Sequence, residues 1–560
     1  MLSVYHLAFI ITQVASFVID KKRIMSSVAP DKRIPTTSKQ STTLQIMSTS
    51  VEDNIATIIE HYSSSNDIPH IPIHFCFIVH GHQGRPTDLS YVHNTIKAKA
   101  TQHNAFTYAK SSDSCPVGRK NNHKPVLKKR RSKRDRILST LKKSSGISDK
   151  ELSVSHNIVE DKKSWISDKQ LSSESCSATT ESGIVEDNDK QQSKECSTLV
   201  IHNSVCNEGK TNDGVRKGGE RLTNEMIDVI KEELLRRGYN NNITDQVDVT
   251  ISLVGNSLGG LYARYAIAEL VERCKQNERQ DEDAETETLT YYLLDDYINI
   301  HFNIFCSTAA PHLGCASHTF VPIPRTAEIG VASFLGTTGS DLFRRNDLLH
   351  TMGTSDKFLT PLASFRKRIA YINAYKTDFP VPGATAGFLD KNSVYPHYFV
   401  DPTTQQSDED GGERVCPATE QGLIAATLYT PRLLEYKTDD KEVDDLTAMS
   451  SSLDSLGWTK HIIDIRKNVA RLPSIFKSDD DAVCAIRQMK MTSDDGKVTS
   501  QDLERAISQT DSLVDLPLGH NAICAFERGT PSKNFNSGGR PVMDSLAIEL
   551  VNEISKYDIE

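Results

Sequence analysis

Short apolar runs alternate along this chain with stretches in which apolar residues recur at a helical period. The strand-like runs are His74–His80, Thr198–Val205, Val247–Val254, Ile298–Ser307, Arg368–Ala374 and Trp458–Ile465. The helix-like stretches are Leu89–Lys99, Gly219–Arg237, Leu261–Cys274 and Val542–Ser555. Strands that alternate with helices are typical of a mostly parallel sheet with helices on both faces. The pattern therefore predicts an α/β fold.

A long polar segment, residues 110–196, interrupts this alternation. Residues 119–143 contain twelve Lys and Arg residues and a single acidic one. Further along, ISDKELS (147–153) returns as ISDKQLS (166–172), an imperfect duplication. Polar low-complexity sequence does not bury enough apolar surface to fold. We therefore expect a disordered insertion.

Other polar stretches lie near residues 274–288, 401–418 and 477–512, and we expect them to be loops. With these set aside, the chain divides into two parts. Residues 1–65 form an N-terminal extension that we expect to be partly disordered. Residues 66–560 form one domain that carries the α/β pattern.

Composition and charge narrow the choice of function. The net charge of −9 argues against a dedicated nucleic-acid binder. The basic run at residues 128–134 is compatible with a nuclear address or a nucleic-acid patch, but a solvated charged loop explains it equally well. We expect no nucleic-acid partner. Eleven cysteines without a C-x-x-C pair indicate reduced thiols in an intracellular protein.

Residues 7–19 (LAFIITQVASFVI) form an apolar stretch near the N-terminus. The stretch is short for a membrane span and is interrupted by Gln13 and Ser16. No Lys or Arg precedes it, which disfavours a signal peptide. We predict a cytoplasmic protein with transient contact to intracellular membrane surfaces. A signal or anchor at residues 7–19 is the alternative.

A candidate catalytic serine lies in GNSLG, residues 255–259. This motif falls between the strand-like run VTISLV and a helix-like stretch. A serine in a tight strand-to-helix turn exposes its Oγ, and the residues two positions before and after it must lack side chains. Gly255 and Gly259 meet this requirement. The N–H of Leu258 is then placed to donate to an oxyanion. We predict that Ser257 is a nucleophile, the alternative being a plain glycine-rich turn.

A serine nucleophile requires a base, which follows the acid along the chain in a fold of this kind. After the strand that ends near Ala374, the histidines are His397, His461 and His520. His461 lies within a strand-like run, so its side chain should face a helix or solvent. His397 is expected in a loop that precedes the last predicted strand. His520 is expected in a loop just before the final helix, and we predict that it is the base.

Asp378 is the predicted acid that orients this base. It lies just beyond the carboxyl end of the strand-like run RIAYINA, and reactive residues gather at the carboxyl ends of parallel strands. Asp390 is its nearest rival, whereas Asp341 and Asp347 belong to an expected helix outside the sheet. The alternative role of Asp378 is to make a turn.

The first strand-like run ends in HGHQG, residues 80–84. A glycine at a strand end lets the backbone approach a ligand, so we predict that Gly81 contacts substrate. The N–H of His82 is the predicted second oxyanion donor beside that of Leu258. We expect His80 to bond loop backbone. No acidic or cysteine cluster accompanies the two histidines, so we predict no metal site.

Six blocks in this order resemble the putative serine esterase (DUF676) family, a lipase-like branch of the α/β-hydrolase superfamily. The blocks are HFCFIVHGHQGRPTDLSYV, VCNEGKTNDGVRKGGERL, VGNSLGGLYARYA, CSTAAPHLG, YINAYKTDFPV and PLGHNAI. The resemblance spans residues 73–550 apart from the insertions and implies an α/β-hydrolase fold. It implies Ser257, Asp378 and His520 as nucleophile, acid and base. It also implies that Pro311 and His312 shape the wall of the site.

Together these observations predict a serine carboxylic ester hydrolase that acts on acylglycerols or lysophospholipids through an acyl-enzyme, without metal or cofactor. The lipid preference depends on the resemblance and on the largely apolar segment 315–336, which lies where hydrolases of this fold carry a cap. An ordinary packed helix is the alternative for that segment. A thioesterase or acyltransferase would use the same catalytic residues. An inactive hydrolase fold serving as a scaffold is the rival from another class.

Overall fold

The computed structural model describes most of the predicted domain. The described residues are 73–103, 106–108, 197–239, 247–276, 291–293, 298–316, 325–374, 377–378, 380–400, 416–433, 444–466, 468, 486, 489, 496–508 and 519–556. The N-terminal extension (1–65) and the insertion (110–196) lie outside these ranges. So does most of each stretch expected to be a loop near 274–288 and 401–418.

Strands and helices alternate along the described ranges. The strands are β1 (Ile73–Val79), β2 (Phe106–Tyr108), β3 (Ser197–Asn203), β4 (Val247–Asn256), β5 (Lys275–Gln276), β6 (Tyr291–Leu293), β7 (Ile298–Thr308), β8 (Lys367–Asn373), β9 (Pro396–Phe399), β10 (Ile424–Tyr429), β11 (Thr459–Ile463) and β12 (Lys497–Thr499). The α-helices are α1 (Ser90–Gln102), α2 (Val215–Arg236), α3 (Leu258–Arg273), α4 (Arg325–Phe334), α5 (Gly336–Leu342), α6 (Leu348–Thr354), α7 (Asp356–Ala363), α8 (Gly383–Ala386), α9 (Pro417–Glu420), α10 (Asp445–Asp454), α11 (Ser500–Ser508), α12 (Gly519–Ile523), α13 (Gly529–Asn536) and α14 (Arg540–Ser555). All the predicted strands and helices are among them.

These strands form one sheet. Its main path runs β12-β9-β10-β11-β8-β7-β4-β1-β3-β2, and the β5–β6 pair joins it beside β7. From β11 to β2 all neighbours on this path are parallel. The strands β10, β9 and β12 add an antiparallel edge. The predicted α/β fold with a mostly parallel sheet is confirmed.

The side chains of β1 show why both faces of the sheet carry helices. Phe75 and Phe77 pack into an apolar cluster with residues of α2 and α3. Cys76 and Ile78 pack into a second cluster with residues of α1 and α14. Successive side chains of a strand point to opposite faces, so a strand buried throughout needs cover on both sides.

Within the stretch 477–512, the expectation of a loop is wrong for residues 497–508. This stretch contains β12 and the helix α11, where Leu503, Ala506 and Ile507 are buried. Their spacing of three and four residues places them on one face of the helix. The polar side chains between them dominate the composition, which is why the segment was expected to be a loop.

His397 does not lie in a loop as expected. It belongs to β9, a strand of four residues, and its side chain is fully buried. The neighbours β10 and β12 are also short, with six and three residues. Strands of this length contain too few alternating positions to give a periodic signal in the sequence.

Cysteines in the described ranges are unpaired, which agrees with the expected reduced thiols. There are seven of them, and most are buried. Burial raises the pKa of the thiols of Cys76 and Cys524 to about 12. These buried thiols are therefore protonated and unreactive near neutral pH, because the thiolate is the nucleophilic form.

Within the described part of the chain, none of the helices combines the length and the apolar composition that a bilayer crossing requires. The longest of them, α2, has 22 residues but includes many charged ones. The apolar stretch at residues 7–19 lies outside the described residues.

We predict that His74 makes the fold sensitive to acid. This residue of β1 is buried, its Nδ1 lies 2.5 Å from Thr250 Oγ1, and burial lowers its pKa to about 4. An unfolded histidine titrates near ~6.5, so between these values the unfolded chain binds more protons and stability falls as the pH falls. The expected loss is roughly 3 kcal/mol. Urea unfolding across this pH range should therefore give a flatter profile for His74→Gln than for the unaltered protein. Parallel profiles would contradict the prediction, and His350→Gln is the control because His350 is partly exposed.

Candidate active site

Ser257 lies between the end of β4 and the start of α3. Its φ of 55° is in the left-handed region, which non-glycine residues rarely adopt. Two hydrogen bonds to Thr308, at the end of the neighbouring strand β7, hold this turn. The N–H of Ser257 donates to Thr308 O over 2.8 Å, and Asn256 Nδ2 donates to Thr308 Oγ1 over 3.0 Å. The serine is therefore held at the carboxyl end of β4.

Three glycines leave room for this turn. A Cβ atom on Gly255 would lie 2.5 Å from Gly260 Cα, and one on Gly259 would lie 2.2 Å from Val79 O. A Cβ atom on Gly81 would lie 2.6 Å from the Cβ of Ser257. Real Cβ atoms do not approach other heavy atoms this closely, so any side chain at these positions would displace the turn.

His520 bridges Ser257 and Asp378. Its Nε2 lies 2.9 Å from Ser257 Oγ, and its Nδ1 lies 2.8 Å from Asp378 Oδ2. Because a carboxylate only accepts hydrogen bonds, Nδ1 carries the hydrogen. In the neutral ring Nε2 is then an acceptor, and the hydroxyl of Ser257 donates to it. The structure thus brings together the three residues that the sequence predicted to act together.

Asp378 is buried, and other donors share its carboxylate with His520. Asn373 Nδ2 donates to Asp378 Oδ2 over 2.9 Å, and the N–H of Val381 donates to Oδ1 over 2.8 Å. A buried carboxylate needs such donors because it has lost its hydration. The sequence analysis missed Asn373. A polar residue at the end of the apolar strand β8 is the signal that would have found it.

His520 lies on the short helix α12 and not in a loop as expected. Gly519, the first residue of α12, donates its N–H to Thr377 O over 2.6 Å. A Cβ atom at Gly519 would lie 2.6 Å from the same oxygen. This close contact brings the start of α12 against the segment that carries Asp378. A helix of five residues is too short to show a helical period in the sequence.

The loop after β1 lies next to Ser257. His80 is buried and donates its Nδ1–H to Gly81 O over 3.1 Å, and burial lowers its pKa. His82 Nε2 lies 2.7 Å from Asn212 Oδ1, and the N–H of Gln83 donates to Thr211 Oγ1 over 2.9 Å. The sequence analysis did not identify residues 211–212, which connect this loop to the chain after β3.

The rival candidates for the base, His461 and His397, form their hydrogen bonds with residues other than Ser257 and Asp378. His461 Nε2 lies 3.1 Å from a carboxylate oxygen of Glu549 on α14, and its Nδ1 lies 3.0 Å from Thr427 Oγ1. Its side chain therefore faces a helix and a neighbouring strand. His397 Nε2 lies 2.9 Å from Lys460 Nζ inside the antiparallel edge of the sheet.

His312 is fully buried, as is its neighbour Pro311. His312 Nδ1 lies 3.4 Å from Arg264 Nη1, and its Nε2 lies 3.1 Å from Ser307 Oγ. Burial, with Arg264 adding to it, holds the pKa of His312 well below its usual range. The contacts of His312 are thus with the protein core. A substrate contact by Pro311 or His312 stays a prediction.

The rival acids are also engaged away from Ser257. Asp390 Oδ2 accepts from Thr447 Oγ1 over 2.7 Å. Asp341, near the end of α5, accepts from the N–H of Val215 over 2.7 Å and thereby caps the N-terminus of α2. Asp347 is exposed and precedes α6.

A cavity of ≈ 590 Å³ opens beside the N-terminus of α2, lined by residues that include Arg216, Tyr265, Asp341 and Lys357. Ser257, His520 and Asp378 do not line this cavity. In the described ranges, no three His, Cys, Asp or Glu side chains are grouped as metal ligands would be. The cavity is therefore separate from the hydrogen-bonded Ser257, His520 and Asp378.

Residues 176–387 match the model of the family described as Putative serine esterase (DUF676). Through this segment, which is less than half of the chain, the protein is similar to that family. The match includes Ser257 and Asp378 but ends before His520 and begins after His82. No curated protein and no solved structure matches the chain significantly. This similarity supports a hydrolase of the serine esterase type in general, and the roles of the individual residues stay predictions.

We predict that Gly519→Ala separates His520 from Asp378. The new Cβ atom would meet Thr377 O at 2.6 Å, so α12 must move away from the acid. A displacement of this kind costs up to ~100-fold in turnover. Initial rates on a short-chain ester measure the effect. Gly238→Ala is the control, because Gly238 has a φ of +87° and no atom within 4 Å of an added Cβ. Equal losses in both variants would attribute the effect to lost stability.

Proposed function

We propose that this protein hydrolyses carboxylic esters, with Ser257 as nucleophile, His520 as general base and Asp378 as the group that orients the base. The main support is the position of His520, 2.9 Å from Ser257 Oγ and 2.8 Å from Asp378 Oδ2. A serine hydroxyl is a weak nucleophile, and an adjacent base that accepts its proton activates it.

In the acylation step, Ser257 Oγ forms a bond to the ester carbonyl carbon as its proton passes to His520 Nε2. The bond to the leaving alcohol then breaks, and His520 returns the proton to the leaving oxygen. In the deacylation step, water attacks the acyl carbon and gives a proton to His520, which passes it to Ser257 Oγ as the acid departs. Asp378 stays ionised throughout and stabilises the imidazolium.

We assign the oxyanion of the tetrahedral intermediate to the N–H groups of Leu258 and His82. Leu258 is the first residue of α3, so its N–H has no acceptor within the helix, and a helix N-terminus favours negative charge. Gly81 lies against Ser257, which brings the loop that carries His82 to the nucleophile. One donor of this kind is worth ~10²–10³ in kcat.

We predict that Ser257→Ala and His520→Ala each lower kcat on a short-chain ester by ~10⁴-fold or more, and that the double variant is little worse than either, because the groups act as one unit. Asp378→Asn should cost less, since the imidazole stays in place but loses its orienting carboxylate. His461→Ala is the control. A fluorophosphonate should label Ser257 alone, as mapped by peptide mass spectrometry. Unchanged turnover in Ser257→Ala, or labelling of another serine, would refute the proposal.

For the substrate class, we propose acylglycerols or lysophospholipids that are reached at a lipid surface. Ile329 and Val331 of α4 are 41% and 43% exposed. Cys315, ten residues before α4 in the chain, donates its Sγ–H to Pro380 O over 3.5 Å, close to the acid Asp378. The exposed apolar side chains of α4 follow this residue within the predicted cap segment 315–336, and exposed apolar side chains favour contact with lipid.

We predict that the double variant Ile329→Asp/Val331→Asp loses about 10-fold in turnover of a long-chain lysophospholipid in vesicles and keeps its turnover of a soluble short-chain ester. Two charges oppose the burial of apolar surface in lipid, and about 1.4 kcal/mol of lost burial suffices. Leu235→Asp/Val394→Asp is the control, because both residues are exposed and apolar but belong to other segments. Equal losses on both substrates would show that α4 supports the fold and does not contact lipid.

A further inference from the structure

Arg528 joins the loop after β1 to the segment that follows His520. Its Nη2 donates to Gln83 O over 2.6 Å and also to Asp88 Oδ2. Its Nε donates to Asp88 Oδ1 over 3.2 Å. One guanidinium group therefore binds both a backbone oxygen and a carboxylate of this loop. The mechanism described above uses neither Arg528 nor Asp88.

Asp88 is 1% exposed, and it accepts further hydrogen bonds beside the one from Arg528. Its Oδ2 accepts from the N–H of Arg85 over 2.7 Å, which closes the loop on itself. Its backbone oxygen accepts from the N–H of Glu527 over 2.9 Å. A buried carboxylate with these donors holds a fixed place, and Arg528 supplies its compensating charge.

Both sides of this contact lead directly to the site. On one side, Gln83 and Gly81 belong to the same short loop, and Gly81 lies against Ser257. On the other side, the chain from His520 to Arg528 is compact, because the N–H of Phe526 donates to Asn521 O over 3.1 Å. Arg528 thus connects the loop that carries His82, a predicted oxyanion donor, to the segment that carries His520, the predicted base.

The backbone of Gln83 shows that this loop needs support. Its φ of 53° is in the left-handed region, which a residue with a side chain keeps only when its surroundings hold it. The N–H of Gln83 is held by Thr211 Oγ1 over 2.9 Å, and its oxygen is held by Arg528. Removal of Arg528 would leave one of these two bonds and would free the loop to relax.

We propose that Arg528 is a positioning residue that sets the distance between the oxyanion loop, residues 81–84, and the pair formed by Ser257 and His520. The proposal rests on the proposed ester hydrolysis. The loop would bind the negative oxygen of the transition state, so loss of Arg528 should destabilise the transition state. Binding of the neutral ester should not change. The planar fork of arginine is required, because a lysine ammonium presents a single nitrogen to the two acceptors.

The test compares Arg528→Met and Arg528→Lys with the unaltered protein in the full chain. For Arg528→Met we expect kcat on a short-chain ester to fall roughly 10- to 100-fold with an unchanged KM. An alkyl trifluoromethyl ketone, whose adduct with Ser257 carries an oxyanion, should lose affinity by the same factor. Arg528→Lys keeps a charge opposite Asp88 and is the variant expected to fold if Arg528→Met does not; its kcat should be intermediate. Arg273→Met is the control, since Nε and Nη2 of Arg273 also donate to a carboxylate, Oε1 of Glu269 on α3.

The outcomes separate the two proposals. If the unaltered protein neither hydrolyses the ester nor reacts with fluorophosphonate at Ser257, the proposed function fails. If it is active and Arg528→Met and Arg528→Lys retain full kcat, the positioning role alone is wrong. A loss of kcat with unchanged ketone affinity would also overturn that role. A fall in the thermal unfolding temperature with unchanged kcat would show that Arg528 only stabilises the fold.

Discussion

The backbone of Ser257 is the constraint on which the rest of the site depends. Its φ of 55° places a side chain in a strained conformation, and such strain of about 1–3 kcal/mol persists only where neighbours hold the turn. Thr308 supplies that hold from β7, and the glycines at 255 and 259 let the turn close against the backbone. The loop after β1 and the segments after β8 and β11 then meet at this one position, because parallel strands end at the same edge of the sheet.

Hydrogen-bond donors compensate two buried carboxylates near this edge. Asp378 accepts hydrogen bonds from a histidine, an asparagine and a backbone N–H, and Asp88 accepts from an arginine and a backbone N–H. Isolated carboxylates of this kind would be strongly disfavoured, because each has lost its water. Each carboxylate therefore fixes the groups around it in one arrangement. The same bonds that make burial tolerable also orient the predicted base and hold the loop beside the serine.

A further buried charge, on Lys460, ties the antiparallel edge to the parallel part of the sheet. Lys460 Nζ of β11 lies 2.5 Å from Asp454 Oδ1 at the end of α10 and 2.9 Å from His397 Nε2 on β9. It also lies 3.9 Å from the ring centroid of Phe388. Burial lowers the pKa of Lys460 to about 8, so the ammonium is still protonated at neutral pH. Removing either partner of such a buried pair typically costs about 3–5 kcal/mol.

The sequence by itself determined the parallel core and the turn at the nucleophile. Long apolar runs and a glycine-spaced serine are local signals, because burial on two faces and a tight turn each dictate residue type within a few positions. Chain order and the positions of strand ends were enough to select Asp378 and His520. The structure places His520 within hydrogen-bonding distance of both Asp378 and Ser257. Their catalytic roles await experiment.

Only the tertiary structure decided the contacts between segments that are distant in the chain. Asn373, Gly519 and the Arg528–Asp88 pair became visible once α12 and the loop after β1 were placed beside the acid and the serine. The short strand that holds His397 and the helix α11 were likewise missed. The strand β9 is too short to show a periodic pattern, and in α11 the polar side chains obscure the helical spacing of Leu503, Ala506 and Ile507.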